Sequence, residues 1–228
     1  MITKLDEQFF AQFKRPQHYK KGEIILRPQD EPTGVYYLKK GYVRLYLISP
    51  DGKDITFNIY KPGTYFSMMW ALGDSPNIYF FESLTNVEVL KAPKDKVVAF
   101  LRSQPELLYT FIKRILIGLD GTTRLTQVLL TGSAYQKVAS AILVLARRFG
   151  KKSQNGCVII NLNITHKLIA SIASLSRESA TIEILKLEKE KIIAQKNHKI
   201  LVKNIEKLEK ESAIPSVEQL TFQPFETK

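Results

Sequence analysis

The sequence has few of the residues on which metal and redox sites depend. It contains one cysteine, Cys157, and three histidines, His18, His166 and His198. One thiol cannot form an internal disulfide, and iron–sulfur clusters are held by four cysteines. We therefore expect no iron–sulfur cluster, no metal centre and a reducing, cytoplasmic environment. Cys157 precedes Val158, Ile159 and Ile160, which favours a small buried side chain over a redox sensor.

Long apolar runs are also missing. The longest, residues 139–146, is interrupted by Ser140 and is far shorter than the roughly 18 residues that suggest a membrane span. Residues 1–7 lack the apolar core of a signal peptide. We expect no association with a membrane.

Acidic residues are outnumbered: 34 Lys and Arg stand against 22 Asp and Glu, which gives a net charge of +12. The shorter part of the chain, residues 132–228, holds 16 of the basic and 9 of the acidic residues, and so the larger share of the excess. A basic excess favours polyanions, although many cytoplasmic proteins are simply basic. Nucleic acid is therefore a candidate partner.

Residues 20–92 have the pattern of short strands separated by turns. β-branched and aromatic residues concentrate in segments that glycine or proline separates, namely residues 24–26, 35–38, 42–47, 55–59 and 87–90. Asp51-Gly52 between two of these segments is typical of a β-hairpin. The spacing predicts an antiparallel sandwich or roll and not alternating strand–helix units.

A long helical periodicity runs from Pro105 to about Thr131. Apolar residues recur along it at helical spacing, and the positions we assign to a dimer contact are Leu108, Ile112, Ile115, Leu119 and Leu129. A helix of this length usually packs on a partner. We expect coiled-coil-like dimerisation; the alternative is an internal helix packed on the roll.

Gly132-Ser133 interrupts this periodicity, because glycine can end one helix and serine can cap the next. We therefore place a domain boundary there. The predicted fold class is α+β, with an N-terminal antiparallel β-roll and dimerisation helix in residues 1–131 and a second domain in residues 132–228.

The second domain contains the pattern of a helix-turn-helix. Thr165 can cap a helix over residues 166–173, a three-residue turn follows, and a second helix begins at Arg177. Its inner positions Ala180, Ile184 and Leu187 are spaced for packing on the first helix. The alternative is an ordinary solvated amphipathic helix.

Polar residues at the start of the second helix suit duplex DNA. Arg177 can donate to guanine O6 and N7, Glu178 can accept from cytosine N4, and Thr181 can reach a base edge or a phosphate. Basic and polar residues around them complete the predicted interface: Thr165, His166, Lys167, Ser176, Ile182, Lys186, Lys196, His198 and Lys199. Residues 192–202 predict two strands with a basic tip, which is the wing of a winged helix-turn-helix.

These ordered motifs resemble the cyclic-AMP receptor protein/FNR (Crp/Fnr) family of bacterial regulators over roughly residues 18–211. The helix-turn-helix segment THKLIASIASLSRESATIEILKLEKEKII and the roll segment KKGEIILRPQDEPTGVYYLKKGYVRLYLISPDGKDITFNIYKPGTYF carry the resemblance. It implies a homodimer that binds a palindromic duplex site, a G·C contact by Arg177 and Glu178, and an interaction with RNA polymerase. Ile182 stands where the family often has arginine, and an apolar residue there suits a thymine methyl group.

The effector region departs from the family's cyclic-nucleotide binders. Those proteins place a glutamate and an Arg-Ser pair where this chain has Met68, Ile78 and Tyr79. A buried phosphate needs a cation or converging donors, so we do not expect cyclic AMP to bind in the family's manner. The candidate effector pocket comprises Phe66, Met68, Trp70, Ile78, Tyr79, Thr122 and Thr123. It predicts an apolar or aromatic effector, a filled core without ligand, or some other signal.

Other functions find less support in the sequence. Haem is not expected, because His166 and His198 fall in the DNA-binding half and His18 falls outside the expected pocket. No catalytic triad, paired carboxylates or phosphate-binding loop stands out, so we do not expect an enzyme. The main alternative to a DNA-binding regulator is a ligand-binding module that acts through a protein partner.

Overall fold

The computed structural model describes residues 2–13, 15–153, 156–196 and 199–214. The chain divides into two compact units. One comprises Met1–Ser49 and Thr56–Ile117, and the other comprises Pro50–Ile55 and Gly118–Lys228. The contacts between residues divide the chain after Ile117, within the helix Pro105–Thr131. Gly132 and Ser133 lie between that helix and the next one. The domain boundary expected between residues 131 and 132 therefore stays a prediction.

The first unit is an antiparallel β-roll with helices packed against it. Its strands are β1 (Gln17–Tyr19), β2 (Ile24–Leu26), β3 (Val35–Lys40), β4 (Val43–Ile48), β5 (Asp54–Tyr60), β6 (Thr64–Phe66), β7 (Phe80–Ser83) and β8 (Val87–Ala92). Its helices are α1 (Ile2–Ala11), α2 (Met68–Gly73), α3 (Lys94–Ser103) and the first part of α4 (Pro105–Thr131). The strands form two sheets, ordered β1-β8-β3-β6 and β2-β7-β4-β5.

Both sheets contribute to the core of the roll. Leu38 and Val89 from one sheet and Leu45 and Phe81 from the other belong to one buried cluster, because strand residues alternate between the two faces of a sheet. The turn between β3 and β4 requires glycine. Gly41 has φ +85°, and a Cβ there would lie 2.3 Å from the carbonyl oxygen of Asn86.

The opposite face of the β1-β8-β3-β6 sheet is covered by helices. Phe10 of α1 is fully buried and stacks on Tyr37 and Tyr65, with ring centroids 5.5 and 5.4 Å apart. Leu101 of α3 and Leu107 of α4 belong to the same cluster. The predicted antiparallel roll is therefore confirmed, and the start of the long helix is part of its core.

The second unit contains a helical core and a small antiparallel sheet. Its elements after α4 are α5 (Ala134–Phe149), β9 (Gly150–Lys152), β10 (Val158–Ile160), α6 (His166–Ala173), α7 (Arg177–Lys189), β11 (Ile193–Lys196), β12 (Lys199–Val202) and α8 (Ile205–Glu211). The sheet has the strand order β11-β12-β10-β9. With the roll and the long helix, these elements confirm the predicted α+β class.

Ser133 caps the start of α5, as the sequence predicted, and together with Gln136 it forms a capping box. The Ser133 N–H donates to Gln136 Oε1 over 2.9 Å, and the Gln136 N–H donates to Ser133 Oγ over 3.3 Å. Gly150 ends the helix where β10 passes closely, since a Cβ there would lie 2.3 Å from Val158 Cγ1. Cys157, predicted to be buried, is only partly buried, because it precedes β10 and does not lie within it.

Candidate nucleic-acid interface

The helix-turn-helix is formed by α6, a three-residue turn and α7, at the positions that the sequence predicts. The Leu168 N–H donates to Thr165 Oγ1 at the start of α6, and the Ser179 N–H donates to Ser176 Oγ at the start of α7, each over 3.1 Å. Between them Ser174 adopts a left-handed conformation with φ 53°. A non-glycine residue in that region costs about 1–2 kcal/mol, so the surrounding packing must hold the turn.

Packing behind α7 supplies that support. Ala180, Ile184 and Leu187 are fully buried, and Ala170 of α6 is nearly so. α5 packs against both helices with its own buried face. The apolar spacing along α7 therefore orients the helix and leaves its opposite side facing solvent.

The exposed side of α7 begins with two charged residues. Arg177 and Glu178 are exposed, and within the residues that the structure describes neither side chain forms a hydrogen bond or an ion pair. An ordinary solvated helix, the alternative interpretation of the sequence, would favour an ion pair between Arg177 and Glu178, and the two side chains do not form one. An arginine fork and a carboxylate at the start of such a helix are chemically suited to base edges.

Apolar residues follow on the same side of α7. Ile182 and Leu185 are 55% and 54% exposed, although isoleucine and leucine are usually buried in monomeric proteins. The sequence indicated Ile182 as a contact for thymine but not Leu185, although the inward spacing of Ala180, Ile184 and Leu187 leaves Leu185 on the outer side of the helix. Two exposed apolar residues one helical turn apart suit thymine methyl groups.

Thr181 and His166 are held within the protein. Thr181 Oγ1 donates to the Arg177 carbonyl over 2.8 Å and lies 2.9 Å from His166 Nδ1. The other ring nitrogen, Nε2, lies 3.1 Å from Gln195 Oε1 on β11. To contact a phosphate as predicted, His166 would have to give up one of these contacts, and so would Thr181 to contact a base.

Lysines flank the helix and the wing. Lys167, Lys186, Lys196 and Lys199 are exposed, and Lys186 Nζ lies 2.8 Å from Glu183 Oε2. β11 and β12 pair in register from Ile193↔Val202 to Lys196↔Lys199, so the two lysines stand opposite each other at the end of the wing. His198, which we assigned to the same interface, lies outside the described residues. The cluster is suited to phosphate contacts.

The long helix α4 exposes apolar residues along its length. Of the predicted dimer positions, Ile112, Ile115 and Leu119 are 46–61% exposed, while Leu108 packs partly on the roll core and Leu129 is half-buried. Tyr109, Leu116 and Leu130 are also exposed. An exposed apolar stripe of this kind is typical of a surface that a partner covers.

A cavity of about 230 Å³ lies beside α2 in the roll. It is lined by residues without charge: Pro32, Ser67, Met69, Trp70, Ser75, Pro76, Asn77, Ile78, Tyr79 and Phe81. Three of the predicted pocket residues, Trp70, Ile78 and Tyr79, are among them. Its volume is below the roughly 300–1,000 Å³ of sites for drug-sized ligands.

The other predicted pocket residues lie elsewhere. Phe66 is 1% exposed and stacks on Tyr36 in the roll core, and Met68 packs against the cluster on the other face of that sheet. Thr122 and Thr123 line a shallow groove formed by α4 residues alone. Their hydroxyls donate to carbonyls one turn earlier in the helix, each over 2.9 Å.

The side chains of Asn77, Ser67 and Ser75 in the cavity already bond the backbone. Asn77 Nδ2 donates to the Arg27 and Tyr79 carbonyls over 2.6 and 3.0 Å, and Ser67 Oγ donates to the Gly34 carbonyl over 2.9 Å. The sequence did not indicate the buried Arg44, whose partner Glu82 stands opposite it on β7 and accepts over 2.6 Å. Arg44 is not part of the cavity lining. The residues present do not fit a cyclic phosphate, which needs a cation or converging donors.

Two family models match the chain, in the order of its two units. The cyclic nucleotide-binding domain model matches residues 16–104, and the Crp-like helix-turn-helix domain model matches residues 136–211. Within the described residues, no helix is both long and apolar enough to cross a bilayer.

Curated relatives are transcription regulators. The global nitrogen regulator of Nostoc sp. is 27% identical over 186 residues, which cover 81% of this chain and 83% of the relative. The transcriptional regulator SdrP of Thermus thermophilus is 28% identical over 182 residues, which cover 79% and 85%.

Solved structures agree in fold. A CRP/FNR-family transcriptional regulator from Thermus thermophilus is 26% identical with a TM-score of 0.69, covering 87% of this chain and 98% of that one. FixK2 from Bradyrhizobium japonicum shares the fold, with a TM-score of 0.74, 20% identity and coverage of 89% and 98%. These findings favour DNA over a protein partner as the target of the second unit. The chain belongs to the Crp/Fnr family of DNA-binding transcription regulators.

Proposed function

We propose that the protein binds a two-fold symmetric duplex site as a homodimer. The observation that carries the proposal is the exposed pair Arg177 and Glu178 at the start of α7, which have no partner among the described residues. The exposed apolar stripe of α4 supports pairing of two chains, and a second α4 would also cover the groove at Thr122 and Thr123. Recognition helices of such a dimer enter successive major grooves about 34 Å apart.

Different residues along α7 contact different parts of each half-site. Arg177 and Glu178 contact a G·C pair, and Ile182 and Leu185 contact neighbouring thymine methyl groups. Lysines at α7 and the wing contact phosphates and fix the register without selecting sequence. The expected half-site therefore contains one G·C pair next to thymines.

The protein acts on transcription from this site, through contact with RNA polymerase. The name of the relative SdrP, a transcriptional regulator, supports the role in transcription. Because its target is bacterial duplex DNA, the protein is placed in the cytoplasm. Regulation and not catalysis is its role, in keeping with the family.

A selection from random DNA tests the proposal. The full chain, without added ligand, is incubated with a randomised duplex pool at about 150 mM salt, and the retained DNA is sequenced. We expect a palindrome with a G·C pair in each half. A second selection at about 50 mM salt is the control, since non-specific binding rises steeply there and the motif should weaken. A retained pool without a symmetric motif would contradict the proposal.

The cavity beside α2 does not bind cyclic nucleotides in this proposal. Its lining offers no cation, and the side chains of Asn77, Ser67 and Ser75 already bond the backbone, so it suits a compact, uncharged and largely apolar molecule. DNA binding then requires no cyclic AMP.

Calorimetry with cyclic AMP measures this directly. We expect native protein to bind it more weakly than about 1 mM, if the heat saturates at all. The variant Ile78→Arg places a cation at the cavity, on a residue that is 56% exposed, and is expected to bind the nucleotide more tightly than native protein. Tight, stoichiometric binding by native protein would show the expectation to be wrong.

A further inference from the structure

His166 joins three elements of the DNA-binding unit. It is the first residue of α6, its Nδ1 lies 2.9 Å from Thr181 Oγ1 on α7, and its Nε2 lies 3.1 Å from Gln195 Oε1 on β11. The ring is partly buried between these partners. The imidazole of His166, which belongs to the first helix, therefore contacts both the recognition helix and the wing.

The hydrogen bonds of Thr181 determine which ring nitrogen carries a proton. A threonine hydroxyl has one proton to donate, and Thr181 donates it to the Arg177 carbonyl over 2.8 Å. Thr181 Oγ1 must then accept from His166, so Nδ1 carries the hydrogen. The contact also ties the ring to the residue whose side chain is offered to guanine.

The contact with Gln195 is available to both charge states of the ring. A glutamine amide presents an oxygen acceptor on one side and an NH₂ donor on the other. With its oxygen toward the ring it accepts from Nε2–H of the imidazolium, and turned over it donates to Nε2 of the neutral ring. The bridge to the wing is thus compatible with either state.

A second bond fixes the wing at the same residue. The backbone N–H of Gln195 donates to Glu188 Oε1 near the end of α7 over 2.9 Å. The first strand of the wing is therefore bonded to the recognition helix directly through Glu188 and indirectly through His166. Lys196 and Lys199 at the end of the wing follow within four residues.

We propose that His166 is a positioning residue that couples the wing to the recognition helix. Through Thr181 and Gln195 it sets the lysines of the wing in a fixed register with Arg177, so that both engage the same half-site together. This inference rests on the proposed function, because it concerns how that DNA site is engaged. The competing role is the direct phosphate contact that the sequence suggested.

A double-mutant cycle on the full chain separates the two roles. The variants are His166→Ala, Gln195→Leu and the pair, each titrated against the selected palindrome over a range of salt concentrations. Coupling predicts that each single change weakens binding by roughly 2- to 12-fold for each half-site, the range that one net hydrogen bond supports. It also predicts that the pair costs little more than either change alone.

A phosphate contact gives a different result. It predicts that His166→Ala lowers the salt slope as loss of a phosphate contact does, that Gln195→Leu has no effect, and that the two changes are independent. Lys167→Ala, one residue along α6, is the matched control, because an exposed lysine is expected to act on the salt slope without coupling to Gln195.

A spectroscopic readout distinguishes positioning from general stability. The ¹⁵N shifts of the His166 ring should show a protonated Nδ1 in the free protein, and Gln195→Leu should shift the Nε2 resonance while leaving thermal unfolding within a few degrees. An Nε2–H tautomer with an unprotonated Nδ1, or additive losses in the cycle, would overturn the inference. Absence of any specific site for native protein would instead refute the proposed function.

Discussion

The double variant Arg177→Ala, Glu178→Ala is expected to lose at least about 100-fold in affinity for the palindrome. Each correct base contact discriminates by about 1–3 kcal/mol, and a dimer loses both contacts in both half-sites. The two substitutions cancel in charge, so attraction to phosphates is unchanged. Affinity for unrelated duplex should therefore stay within about threefold of native at the same salt.

Titration of labelled duplexes measures this loss of affinity. The same titration is repeated with a duplex in which one base pair of each half-site is changed. Native protein should lose affinity when the G·C pair of each half-site becomes A·T, whereas the double variant should be indifferent to it. Glu206→Ala, Lys210→Ala is the matched control, because it removes an equally exposed and charge-neutral pair from α8. A double variant that still prefers the palindrome tenfold would refute the assigned contacts.

Folding should not obscure the result. Arg177 and Glu178 are exposed in the first turn of α7, where the fold depends on the Ser176 cap and on the buried Ala180 and Ile184. Loss of an acidic residue near a helix N-terminus costs about 0.3–1 kcal/mol. The melting temperature should therefore fall by only a few degrees.

The variant Ile115→Asp, Leu119→Asp is expected to be a monomer with at least about 100-fold weaker binding to the palindrome. Carboxylates at the centre of a packed helix interface would be buried without partners, which is strongly unfavourable. A monomer also loses the second half-site, whose effective concentration in a linked pair is of millimolar order. Light scattering at micromolar protein gives the mass, and duplex titration gives the affinity.

The matched control changes an equally exposed isoleucine outside the stripe. Ile48 on β4 is 55% exposed, so Ile48→Asp tests whether one more surface carboxylate alone affects assembly or DNA binding. It should remain a dimer. A monomeric native protein, or a dimeric Ile115→Asp, Leu119→Asp variant, would show that α4 is not the dimer contact.

The sequence could predict those parts of the interface that depend on local patterns. The caps at Thr165 and Ser176 and the spacing of Ala180, Ile184 and Leu187 defined both helices and the turn, and the basic strand pair defined the wing. Each signal lies within a few residues of the chain. The exposed state of Arg177 and Glu178 follows from the same spacing, because the opposite face of α7 is apolar.

Contacts between distant segments could not be predicted in this way. His166 meets residues 15 and 29 positions away, and the pairing depends on how the wing packs on α7. The place of Phe66 depends on the register of a three-residue strand. One step moves a side chain to the other face of a sheet, and here Phe66 faces the roll core while Tyr65 contacts Phe10.

The uncharged cavity beside α2 contains the only tryptophan of the chain, Trp70. A molecule that enters it changes the surroundings of the indole ring, over whose face Lys94 Nζ lies 5.0 Å from the centroid. The tryptophan fluorescence of the protein, excited at wavelengths that its ten tyrosines do not absorb, therefore arises at this one place. Occupancy of the cavity can be followed in the native chain by light alone, without a label.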